Sequence, residues 1–185
     1  TLLTNLVYVW DLVARQVFLV IVMYVFVQLW TTTYRWEGAS TISGFTMQQM
    51  IWYLALSESI AMGMSRSAAD IDADVKSGSL AYSLTKPYSY PLFHYAKYMG
   101  DSLVRFFGNL VVAGGVAWLL VGRPAFTALS FAAGLVAVVL AFTMDCCVQV
   151  SIGLTAFWVE DTWGIRFIYL RIMMLLGGMM LPLDI

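Results

Sequence analysis

The sequence predicts an all-α integral membrane protein with five visible spans, and three observations carry that prediction. Hydrophobic residues make up 61% of the 185-residue chain and charged residues only 11%, against about 45–50% apolar and about 25% charged in an ordinary soluble domain. Mean hydropathy is +0.81. Several apolar runs approach the ~20 residues that a helix needs to cross the hydrocarbon core of a bilayer.

The first span covers 13–33, with Asp11 and Arg15 at its start and Trp30 and Tyr34 near its far end, where aromatic rings favour the interface. It is too long, and too far from a small-residue cleavage site, to be a signal peptide. Arg35 to Gly44 forms a short external loop. The second span is 45–64. Its Ala55, Ser59 and Gly63, followed by Ser67, recur every fourth residue, so they share a helix face on which small side chains let another helix approach closely. The third span is 98–121, ended by Gly122-Arg123-Pro124.

From Ala125 to Val159 the chain is almost continuously apolar. At 1.5 Å per residue this would make a helix of ~52 Å, more than one crossing and short for two. The fourth span is therefore placed at 125–150, with an inner end that projects or bends near Gly153. The fifth span is 165–181, interrupted by Arg171 and closed by Gly177-Gly178 and Pro182. The chain begins without methionine and stops just after an apolar run, which reads as a piece of a longer protein truncated at both ends.

Several function classes fall away. A net charge of −1 gives no electrostatic case for nucleic acid. Adjacent Cys146 and Cys147 cannot reach disulfide geometry within a helix. His94, the single histidine, has no partner at metal-ligand spacing, so no metal site is expected. No glycine precedes a lysine, so there is no Walker A motif, and there is no HExxH or GxSxG. No catalytic residue is assigned, and the chain is not expected to be an enzyme by itself.

The longest polar interval, 67–91, lies between the second and third spans. Ser67-Ala68-Ala69-Asp70 has capping-box spacing. Asp70 and Asp72 suit the positive end of a helix dipole, Ile71 and Val75 lie one turn apart, and Gly78 is a natural helix stop. A short amphipathic helix over 68–77 follows. Arg66, Lys76, Lys86 and Lys97 surround this loop and Arg166 and Arg15 share its side, while only Arg35 and Arg123 lie opposite. The positive-inside rule then makes the loop cytoplasmic, and its three aspartates weigh little in that rule. Tyr88, Tyr90, Phe93, Tyr95 and Tyr98 read as an interfacial belt. Glu58 and Asp145 lie within spans, where ionisable groups mark a candidate translocation path or an intramembrane polar contact.

The run from Ile71 to Pro87, IDADVKSGSLAYSLTKP, resembles the first cytoplasmic loop of ABC type-2 exporter permeases, especially an uncharacterised bacterial branch. The segments 156–165 (AFWVEDTWGI) and 177–185 (GGMMLPLDI) are similar to that branch too. The resemblance implies six spans per subunit, the sixth following Ile185. It implies a second permease subunit, the same or homologous, and two separate ABC ATPase subunits that bind the ATP and magnesium; the permease needs no cofactor of its own. It places the protein in a bacterial inner membrane, in contact with lipid.

It also implies that the helix at 68–77 is a coupling helix docked on the ATPase. Asp70, Ile71, Asp72, Asp74, Val75, Lys76 and Gly78 would form the coupling site, with Ile71 and Val75 filling an apolar groove and the charged residues setting register at its rim. The second span would be continuous with this helix and tilt with it. Lys76 stands where relatives carry arginine, a point charge in place of a planar fork. The alternatives are an ion-coupled secondary transporter and a membrane-embedded lipid-modifying enzyme, either using Glu58 or Asp145. The substrate is not legible.

Overall fold

The computed structural model describes residues 2–38, 40–42, 44–124 and 127–176. In chain order these form α1 (Leu2–Glu37), a two-stranded hairpin of β1 (Thr41–Ile42) and β2 (Phe45–Thr46), α2 (Met47–Gly63), α3 (Ser67–Ser77), α4 (Ser79–Leu84), α5 (Tyr90–Val121), α6 (Ala128–Leu154), a single 3-10 turn (Thr155–Phe157) and α7 (Trp163–Leu176). Among the described residues, three stretches are long and apolar enough to cross a membrane: Val13–Glu37, Tyr90–Val121 and Leu129–Phe157. They overlap the first, third and fourth expected spans. The helix at the second, α2, has 17 residues, and the described part of α7 has 14. The closing residues of the fifth expected span, 177–181, lie outside the described residues, as do Gly177, Gly178, Pro182 and the first residues of the fourth.

Contacts divide the described residues into two units: those within 2–62 and 106–124 in one; those within 63–105 and 127–176 in the other. In the first, Leu19, Met23 and Val27 of α1 pack with Ile51, Leu54 and Ala55 of α2 and Ala113 and Ala117 of α5. Small residues on α2 and α5 let the larger α1 side chains fill the seam. Polar groups in this unit are tied across elements. Gln16 Nε2 donates to Asn109 Oδ1 at 2.9 Å. Trp52 Nε1 donates to the Gly122 carbonyl at 3.2 Å. Tyr34 Oη donates to the Phe45 carbonyl at 2.7 Å, fixing the hairpin to the end of α1. The expected external loop is thus partly a hairpin, with Thr41 opposite Thr46 and Ile42 opposite Phe45. Outward residues of α1, among them Val17, Phe18, Ile21 and Val25, remain exposed, the pattern of a helix that faces lipid.

In the second unit α3 lies on α6 and on the 3-10 turn. The approach is set by Gly153: a Cβ there would stand 2.7 Å from Ile71 Cβ and 3.2 Å from the Ala68 carbonyl oxygen. Only glycine permits this distance. Tyr98 packs edge-on against Phe142, with ring centroids 6.4 Å apart. α2 ends at Gly63 and residues 64–66 are not helical. The expectation that the second span runs unbroken into the loop helix is therefore corrected, and Ser67 does not extend the stripe of α2 on one helix. α5 begins at Tyr90, earlier than the expected 98, because proline is tolerated in a first helical turn and Pro91 sits there.

Candidate functional site

The site is α3 and α4 together with the residues of α5, α6 and α7 that hold them. α3 forms where alanines favour helix, with Asp70 in its first turn and Lys76 in its last, each of the sign that the helix dipole favours. Gly78 ends it in the left-handed region, φ 73°, and its N–H donates to the Val75 carbonyl. The chain then turns at Gly78 into α4, which sequence reasoning left as loop.

The start of α3 differs from the expected capping box. The residue before the helix is Arg66, and no side chain of its own segment caps it. Gln149 of α6 takes that role: its Oε1 accepts from Ala68 N at 3.4 Å, and its Nε2 donates to the Ser65 carbonyl at 2.8 Å. Gln149 Nε2 also donates to Asp145 Oδ2 at 2.7 Å. Asp145 accepts from the Tyr98 hydroxyl as well, and from Tyr169 Oη at 2.5 Å. One buried carboxylate therefore joins α5, α6, α7 and, through Gln149, the first turn of α3. The Ser65 N–H donates to Ser102 Oγ at 3.2 Å and adds a tie to α5.

The expected coupling residues fall on opposite faces of α3. Ile71 is fully buried against Gly153. Asp72, 7% exposed, accepts from Thr162 Oγ1 at 2.8 Å and pairs with Lys76 Nζ at 2.9 Å. Lys76 also lies 3.7 Å from Asp161. Burial alone would raise the Asp72 carboxyl, but hydrogen bonds from Lys76 and Thr162 and the charges of Lys76 and Arg166 outweigh it and hold the pKa below its ordinary value. The same hydrogen bond to Asp72 is the main cause of an upward shift at Lys76.

The reading of Ile71 as an outward apolar tooth, and of Asp72 as a rim contact, is corrected: the apolar stripe of α3 is consumed by α6 of the same chain. Val75 is half-buried, and the exposed residues of α3 are Asp70, Ala73, Lys76 and Ser77. Asp70 pairs with Lys97 at 2.7 Å. Asp74 accepts from Ser79 Oγ at 2.8 Å and Tyr90 Oη at 3.0 Å, with His94 Nε2 at 3.7 Å. Around Asp70, Asp74, Tyr88, Tyr90, His94 and Lys97 a pocket of about 300 Å³ opens. Tyr90 and Tyr98, read from sequence as belt residues, are buried hydrogen-bond donors.

Glu58 is buried, 4% exposed, on α2 in the first unit. Ala55 and Ser59 are fully buried there, with Ser59 Oγ donating to the Ala55 carbonyl at 2.6 Å. Gly63, also buried, falls in the second unit. Among the described residues no group of three or more His, Cys, Asp or Glu side chains could hold a metal ion. Gln149, Tyr169 and Thr162 escaped sequence reasoning, and Gly153 was read only as a bend, not as the seat of α3. The one signal available was the spacing of four between Asp145 and Gln149, which places two polar side chains on one face of an apolar helix.

Among the described residues, three helices are long and apolar enough to cross a membrane, and comparison with known proteins agrees with a membrane location. Residues 9–185 match the family described as ABC-2 family transporter protein. No curated protein and no solved structure matches the chain. The family match spans nearly the whole sequence: the chain belongs to the ABC-2 transporter family, as a membrane-spanning permease component of an ABC transporter.

Proposed function

We propose that this permease is the transmembrane subunit of an ATP-driven exporter, and that the exposed face of α3 is where its ATPase docks. Family membership supports a partner ATPase. The observation that carries the docking face is the division of α3 into a buried side, Ile71 and Asp72, and a solvent-exposed side, Asp70, Ala73, Lys76 and Ser77. The buried side fixes the helix to its own chain, so a push on the exposed side is transmitted rather than absorbed. The Lys and Arg distribution supports a cytoplasmic position for this face, and on this reading the membrane is a bacterial inner membrane. Two permease subunits, the same or homologous, would pair with two ATPase subunits. ATP and magnesium would bind in the ATPases, and substrate would pass between the permeases.

The test is substitution at Ala73, an exposed residue of α3. Ala73→Arg is expected to leave the permease inserted and folded while the ATPase no longer copurifies with it. Undiminished copurification, or ATP hydrolysis still coupled to transport in that variant, overturns the docking face.

A further inference from the structure

We propose that Asp145 and Gln149 are positioning residues that latch the first turn of α3 to α6 and α7, so that a displacement of α3 is delivered to the segment joining those two helices. This rests on the reading that an ATPase pushes α3. The geometry leaves little slack. Both hydrogens of the Gln149 amide are used, one on the Ser65 carbonyl at 2.8 Å and one on Asp145 Oδ2 at 2.7 Å, while its oxygen accepts from Ala68 N at 3.4 Å. Asp145 Oδ1 accepts from Tyr169 Oη of α7 at 2.5 Å, and Oδ2 also accepts from Tyr98 of α5. Asp145 is 3% exposed and Gln149 7%. Pulling one member out leaves the others buried and unpaired, which costs more than the lost bond itself. The network therefore moves as a body.

Three further contacts point the same way. In the middle of α3, Ile71 fills the notch at Gly153 and Asp72 accepts from Thr162 at 2.8 Å. Near its end, Lys76 lies 3.7 Å from Asp161. Thus the start, middle and end of α3 are each fixed to α6 or to the segment before α7. No side chain of α3's own segment caps its start, so removing the Gln149 amide leaves that turn without a substitute. Asp145, an intramembrane carboxylate by sequence, becomes the anchor of a mechanical joint rather than a group exposed to a passing substrate.

Hydrogen exchange of the permease with its ATPase in phospholipid nanodiscs, with and without ATP plus vanadate, tests this. Gln149→Met keeps the side-chain length and removes the amide. Without nucleotide it is expected to speed exchange at the Ala68 amide by about fivefold, the size of one lost hydrogen bond. In the wild type, vanadate trapping is expected to change exchange both in α3 and across 155–166. In Gln149→Met the change in α3 persists, that across 155–166 is lost, and ATP hydrolysis continues.

Unaltered exchange at Ala68, or a nucleotide response across 155–166 equal to that of the wild type, overturns the latch. A wild-type complex with no nucleotide response in α3 overturns the docking reading instead, while the nucleotide-free arm still decides whether Gln149 holds the helix. Tyr169→Phe is the second variant should Gln149→Met not fold. It keeps Ala68 protected and is expected to abolish the response in α7 alone; a wild-type response there overturns the latch.

Discussion

Gly153→Ala puts the packing of α3 on α6 to a quantitative test. A methyl group at this position would meet Ile71 Cβ at 2.7 Å, Ile71 Cγ2 at 2.9 Å and the Ala68 carbonyl oxygen at 3.2 Å. Carbon atoms pack at about 3.5–4.0 Å, so α3 must retreat by roughly 1 Å or Ile71 must leave its rotamer. Overpacking of this kind costs about 1–3 kcal/mol. Against it stands the gain of about 1 kcal/mol from replacing glycine by alanine inside a helix. The two effects separate by comparison with Gly134→Ala in the same helix, where an added Cβ meets nothing within 4 Å. Gly134→Ala is expected to gain up to about 1 kcal/mol, and Gly153→Ala to be less stable than it by about 1–3 kcal/mol.

Ile71→Ala alone opens a cavity and costs about 2–5 kcal/mol, but it vacates the space that the new methyl needs. The double variant is therefore expected to be more stable than the sum of the singles by at least about 1 kcal/mol, the sign of residues in direct contact. Reversible denaturant unfolding in lipid bicelles measures all four proteins. Equal effects of Gly153→Ala and Gly134→Ala, or strict additivity with Ile71→Ala, would refute the contact on which the seating of α3 depends.

Gly78→Ala forces an L side chain into the left-handed region at φ 73° and is expected to cost about 1–2 kcal/mol, with Gly78→Asn milder; unfolding midpoints in the same bicelles decide it. Asp72→Asn is expected to lose about 1–2 kcal/mol at neutral pH, the range of a hydrogen bond to a charged group discounted for the exposed lysine. Because the folded pKa of Asp72 is lowered, its contribution is complete above the ordinary carboxylate value and disappears as pH falls through the lower folded value. The gap between wild type and Asp72→Asn should thus be flat from about pH 5 upward and close below about pH 4; a gap that widens in acid contradicts the assignment. Tyr34→Phe removes the hydroxyl that reaches the Phe45 carbonyl at 2.7 Å; a loss of about 1 kcal/mol, with faster exchange in the hairpin, is the expected readout.

Much of this organisation was legible in the sequence because bilayer thickness constrains helix length so strongly. The long apolar runs became α1, α5 and α6, and the glycine at 78 ended a helix begun at Ser67. Positions that tertiary contacts decide were less legible. An amphipathic helix states that its apolar side must be covered, not by what. Ile71 could face a partner or its own chain, and Gly153, legible only as a place to bend, is what lets it pack inward. The cap of α3 comes from Gln149, 81 residues away, beyond any local motif, while Ser67-x-x-Asp70 had the local spacing and did not cap. Asp145 was conspicuous as a charge in an apolar helix, but its donors Tyr98 and Tyr169 looked like interfacial aromatics until the fold brought their hydroxyls together.

The central claim, that the exposed face of α3 receives an ATPase, is tested most directly by site-specific photocrosslinking in intact membranes. A benzophenone side chain introduced at Ala73 is expected to form an adduct that mass spectrometry identifies as a protein carrying a Walker A motif. The same group at Ala141, exposed on α6, is expected to form none. An Ala73 probe that captures no such protein while the permease remains folded and inserted, or capture equal at both positions, contradicts the account.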